Sequence, residues 1–129
     1  GKNVVIYFYP KDNTPGWTIE AGEFRDYLDD FLAINTVVLG VSKDSVKSHI
    51  KFVDKLNLPF ALLSDEEKEV NKLYGVWQKK KMRGKEYFGT VRSTFVIDKN
   101  GILVKEYRKV KAKGHAKEVL EFVRTLSNK

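Results

Sequence analysis

The run Val4, Val5, Ile6, Tyr7, Phe8 and Tyr9 is nearly continuous in β-branched and aromatic residues, the pattern of a strand covered on both faces of a sheet. A second run of the same kind spans Thr36 to Val41. Between them, Ala21, Phe24, Leu28, Phe31 and Leu32 recur at helical spacing, with Glu23, Arg25, Asp29 and Asp30 largely on the other side. The spacing predicts one helix from about Thr18 to Ala33. A buried strand, a helix and another buried strand favour a parallel pairing, which gives an α/β layer structure.

The stretch between the first strand and its helix, Pro10 through Gly16, carries two prolines, Asp12, Asn13 and a glycine, which is loop chemistry. After the second strand, Ser42, Lys43, Asp44 and Ser45 offer N-caps for a helix bearing Val46, Ile50, Phe52, Val53 and Leu56. Leu58 to Leu63 is extended around Pro59, and Ser64 with Glu67 forms a capping box for a short helix ending near Tyr74 and Gly75. The lysine-rich segment that follows reads as a loop. Ser93 to Ile97 and Ile102 to Tyr107 form a pair joined by the turn Asp98 to Gly101. Ala116, Val119, Leu120, Phe122, Val123 and Leu126 make a closing helix. The order is βαβα, a helical insertion, then ββα, with helices on both faces of a mixed sheet.

At 129 residues this is one domain, 1–129, large enough for a core that needs neither disulfide nor metal. The sequence contains no cysteine, which removes thiol catalysis, disulfide exchange and cysteine-ligated metal together. His49 and His115 stand far apart in lysine-rich surroundings, read as solvated surface residues, and lack a second histidine at metal-ligand spacing. No cofactor is expected. No apolar run is long enough to span a membrane, and no leader pattern opens the sequence, so a cytoplasmic location is expected.

The formal charge of +7 would suit a polyanionic partner. Lys79, Lys80, Lys81, Arg83 and Lys85 form the densest cluster. It is not interleaved with exposed aromatics, as a single-strand binder requires, and this argues against a nucleic-acid partner. Glycine fingerprints for nucleotides, P-loops and hydrolase triads are missing.

Pro10, Thr14 and Trp17 carry the chemistry. Their spacing resembles the peroxiredoxin signature, a proline, then threonine or serine four residues on, then the attacking cysteine three residues later. The fragments FYPKDNTPG, EFRD, GVSKDSV, LPFALLSD, YGVW and RSTFVIDKNG resemble the peroxiredoxin Q subgroup, also called bacterioferritin comigratory protein, along nearly the whole chain. The resemblance implies a thioredoxin-like fold and thioredoxin-dependent reduction of hydrogen peroxide and organic hydroperoxides, in a monomer. It gives Thr14 a hydroxyl for the thiolate or peroxide, Pro10 a shielding role, and Arg92 the fixed positive charge at the breaking oxygen–oxygen bond.

Two departures run against that activity. Trp17 stands at the position of the reactive cysteine, and its indole has no nucleophilic acid–base function near neutral pH. Gly22 stands where many members carry a resolving cysteine. The resemblance also implies about thirty residues of N-terminal hairpin ahead of GKNVV, which this sequence does not include. Together these features point to an inactive engineered or relic peroxidase scaffold. The competing reading is a non-catalytic thioredoxin-fold module using Trp17 as an exposed aromatic contact.

Overall fold

The computed structural model describes residues 2–12, 15–82, 84–111 and 113–127, with the side chains of 15–17, 82 and 127 left out of the description. Five strands form the central sheet. β1 (Asn3–Phe8) lies in the middle, parallel to β2 (Thr36–Ser42) and antiparallel to β6 (Ser93–Ile97). β3 (Ala61–Ser64) and β7 (Leu103–Arg108) close the two edges, giving the order β3-β2-β1-β6-β7. The sheet is thus mixed, as the alternation of elements requires.

Burial explains why β1 is central. Val5, Tyr7, Phe8 and Tyr9 are fully buried, Tyr7 stacks on Phe24 with ring centroids 4.2 Å apart, and Phe8 packs edge-on against Phe95 on the other side. The larger core lies between the sheet and the helices α1 (Pro15–Asp26), α2 (Leu28–Ala33) and α5 (His115–Ser127), and includes Val5, Phe24, Phe31, Val119 and Val123. A smaller cluster of Phe8, Val41, Val76 and Phe95 fills the opposite face. At roughly 1.5–3 kcal/mol for each large side chain taken from water, these aromatics dominate the favourable side of folding.

Several local expectations are corrected. The helix expected over 18–33 is two helices, because Tyr27 leaves helical geometry at ψ 2° between them, and Leu32 is half-exposed. The helix after β2, α3 (Val46–Leu56), does take Ser45 as its cap, with the hydroxyl accepting from the Ser48 N–H at 3.1 Å. The expected capping box does not form. Ser64 Oγ instead donates to the Asp44 carbonyl, and the Asp65 carboxylate accepts from the N–H groups of Val70 and Asn71 at the head of α4 (Glu69–Leu73). Asp65 wins because its charge is a stronger acceptor for helix N–H groups than a hydroxyl.

The basic segment is not a loop. β4 (Trp77–Met82) and β5 (Lys85–Thr90) pair antiparallel as a separate two-stranded ribbon, turning at Gly84 with φ +78°. Among the described residues, no helix is long and apolar enough to cross a membrane.

Candidate functional site

Phe8, the last residue of β1, pairs with Ser93, the first of β6. Pro10 follows β1 by two residues and Arg92 precedes β6 by one, so strand pairing brings both to the same end of the sheet. The chain then enters α1, whose first turn contains position 17. Thr14 lies outside the described residues, as does the side chain of Trp17. Gly22 sits one turn beyond in α1, where an added Cβ would meet only Arg25 Nη2 at an ordinary 3.8 Å.

Arg92 is not a solvated surface cation. Its Nη1 donates to Glu20 Oε1 at 2.9 Å, and the Glu20 side chain is fully buried. Burial pushes the Glu20 carboxyl up to about 7, against the opposing pull of Arg92. The second oxygen, Oε2, accepts no hydrogen bond from the described residues. A buried acceptor left open beside a guanidinium is costly, so natural folds keep such groups mainly where a site needs them. Glu20 lies three residues after position 17, one turn down the same helix. The helix thereby holds Arg92 at the end of the sheet where a helix N-terminus adds its own positive potential.

A second buried constellation fixes the loop before α1. Asp12 accepts from Tyr9 Oη at 2.6 Å, from Ser48 Oγ at 2.8 Å and from His49 Nδ1 at 2.7 Å. The other ring nitrogen of His49, Nε2, faces the Leu63 carbonyl at 3.1 Å. Both neighbours of the imidazole are acceptors, a setting that favours the doubly protonated ring. Burial disfavours that charge, but the Asp12 hydrogen bond and charge prevail and raise the His49 pKa. Asp12 is likewise disfavoured by burial, yet its three donors hold its pKa below the ordinary carboxylate range. The Asp12 N–H donates to Asp44 Oδ2 at 2.8 Å, so the main chain is tied to the segment before α3 and the side chain to α3 itself.

Both histidines are therefore buried, contrary to the surface reading. His115 bonds Thr94 across the core at 2.7 Å, and burial lowers its pKa. Glu20 is absent from the sequence reading, which gives Asp12 only loop chemistry and His49 a solvated surface. Their signals were present: Glu20 adjoins Ala21 and stands one turn before Phe24, and His49 stands one turn before Phe52, so both sit on the apolar faces of their helices. A titratable group on such a face must be paired or functional.

Comparison with known proteins agrees with this arrangement. A family model described as the AhpC/TSA family matches residues 1–106. The chain is 52% identical over 129 residues to peroxiredoxin Bcp of Bacillus subtilis, covering all of this chain and 82% of that protein. A solved structure of the Xanthomonas campestris bacterioferritin comigratory protein, described for its alkyl peroxide reduction activity, superimposes with a TM-score of 0.94 at 42% identity, over 98% of this chain and 81% of that one. A structure of Xanthomonas campestris peroxiredoxin Q gives the same TM-score and identity, over 98% and 80%. The reading of a non-catalytic module built on Trp17 gains nothing from these likenesses. A thioredoxin-like mixed sheet, a buried carboxylate holding Arg92 beneath the helix that follows β1, and these relatives together establish that the chain belongs to the AhpC/TSA peroxiredoxins, within the bacterioferritin comigratory protein and peroxiredoxin Q group.

Proposed function

We propose that this chain is a peroxiredoxin scaffold silenced at one position, with its charge framework retained. The observation that carries the reading is the pairing of Arg92 with buried Glu20 under a helix whose first turn holds Trp17, in a sequence with no cysteine. The family reaction needs a thiolate. Its sulfur attacks the distal peroxide oxygen, the sulfur–oxygen bond forms as the oxygen–oxygen bond breaks, and the alkoxide leaves with a proton as alcohol or water. The resulting sulfenic acid is reduced by a dithiol of the thioredoxin type, which ends as a disulfide and releases water.

In the family reaction Arg92 would supply the fixed positive charge where negative charge grows on the leaving oxygen. Glu20 orients the guanidinium, and its elevated pKa limits how much negative charge opposes that role near neutrality. Pro10 shields the site and Thr14 offers its hydroxyl to the peroxide. Gly22 supplies no resolving thiol. No atom at position 17 can accept the peroxide oxygen, because the indole is neither a thiolate nor convertible to one. The hydroperoxide substrate, the thioredoxin partner, the cytoplasmic location and the monomeric state belong to the same proposal.

Stopped-flow measurement of hydrogen peroxide with thioredoxin and its reductase tests it. Consumption equal to a protein-free blank is the expected result. Protein-dependent turnover by the cysteine-free chain would overturn the proposal.

A further inference from the structure

The β4–β5 ribbon stands apart from the five-stranded sheet, and its register changes the meaning of the basic cluster. Opposed residues of an antiparallel pair share a face. Trp77 opposes Thr90, Lys79 opposes Phe88 and Lys81 opposes Glu86, so one face carries a tryptophan, a phenylalanine and two lysines. Phe88 is 60% exposed, so its ring is open to a stacking partner. The ammonium groups of Lys43 and Lys68 lie 5.6 and 5.8 Å from the centroid of the Trp77 ring, adding two cations at the base of the same ribbon. One acid intrudes: Glu86 pairs with Lys79 at 2.6 Å.

Exposed aromatic surface framed by lysines is the composition of a single-strand binding platform, in which bases stack on rings and the backbone follows the cations. Stacked bases use the exposed ring and phosphates use the lysines, so one ligand accounts for both features. We propose that the Trp77–Thr90 ribbon binds single-stranded nucleic acid, with Phe88 as the open stacking surface and Lys43, Lys68, Lys79 and Lys81 facing the phosphates. The function is independent of position 17 and of peroxide chemistry. The sequence concealed it because Lys79 and Phe88 are nine positions apart and meet only through the hairpin.

Fluorescence anisotropy of a labelled oligothymidylate of about 15 nucleotides, titrated with the full chain at several salt concentrations, tests the proposal. Binding should weaken as salt rises. Phe88→Ala should weaken it by roughly fivefold or more with the salt slope unchanged, since stacking releases no counterions. The double variant Lys79→Ala with Lys81→Ala should lower the slope by about 1.4, at roughly 0.7 for each phosphate no longer neutralised. Glu86→Gln, which frees Lys79, should tighten binding, and far-ultraviolet circular dichroism checks that each variant keeps its fold. Equal binding by the parent and Phe88→Ala, equal affinity for a duplex of the same length, or no salt-sensitive binding at about 50 mM salt would each overturn it.

Discussion

Two buried ion pairs flank the loop between β1 and α1, one at Asp12 and His49, the other at Glu20 and Arg92, and they are completed differently. The Asp12 carboxylate receives three side-chain donors, and both His49 nitrogens meet acceptors. Glu20 is held by Arg92 on one oxygen, and its other oxygen is open among the described residues. All four side chains lie largely out of solvent, Arg92 the least so, and the sharper contrast lies in satisfaction. A closed network holds chain segments in place and has nothing left to offer a ligand. The second pair holds a guanidinium in a fixed position at the end of the sheet, the arrangement the proposed peroxide chemistry would use. The first pair is a fastener, and the second is the one to which the proposed function assigns the chemistry.

The largest effect should come from cutting the fastener. His49→Ala leaves Asp12 buried without its counter-charge, and breaking such a pair from one side costs about 3–5 kcal/mol. Urea unfolding should show a lower midpoint with an unchanged slope. Its pH dependence sharpens the assignment. The His49 pKa is raised on folding, so its contribution is complete below the unfolded value of about 6.5 and is lost as pH rises through the folded value. Asp12 is shifted downward, so its share is present above about 3.9 and is lost as pH falls through its folded value. The difference between parent and His49→Ala should therefore be widest between about pH 4 and 6.5 and should narrow in alkali.

Glu20 should slope in the same direction as His49 and opposite to Asp12. Its pKa rises on folding to about 7, so the folded state holds the extra proton and stability falls as pH climbs from the unfolded value of about 4.3. A shift of that size corresponds to on the order of 3 kcal/mol across the window. Glu20→Gln should flatten this part of the profile while leaving the His49 part intact. An unchanged profile would mean that Glu20 and Arg92 form a satisfied pair after all, and the comparison would lose its basis. The smallest effect belongs to Gly22. The position is helical and an added Cβ finds ordinary contact, so Gly22→Ala should stabilise the chain by up to about 1 kcal/mol in thermal unfolding.

How far the sequence could be read follows the same division. Central strands were legible because Val4 to Tyr9 and Thr36 to Val41 are apolar on both faces, a pattern that only a covered strand tolerates. The β4–β5 ribbon was not, because Lys79, Lys80 and Lys81 give polarity on both faces and erase the period of two that marks a strand. Arg92 was found through family resemblance, whereas its partner Glu20, 72 positions away, needed the fold. His49 and His115 were misplaced because neighbouring lysines hid the apolar faces on which they lie. Local pattern finds layers; pairing of buried charge across long separations is decided by tertiary structure.

The central claim is that Arg92 and Glu20 preserve the charged part of a peroxide site that lacks its attacking thiol. Stopped-flow peroxide consumption by Trp17→Cys, set beside Trp17→Cys with Arg92→Ala, tests it most directly. The account predicts rapid loss of about one peroxide per protein thiol in the single variant and at least roughly tenfold slower loss in the double variant. Equal rates in the two variants, or a Trp17→Cys thiol no more reactive than free cysteine, would contradict it.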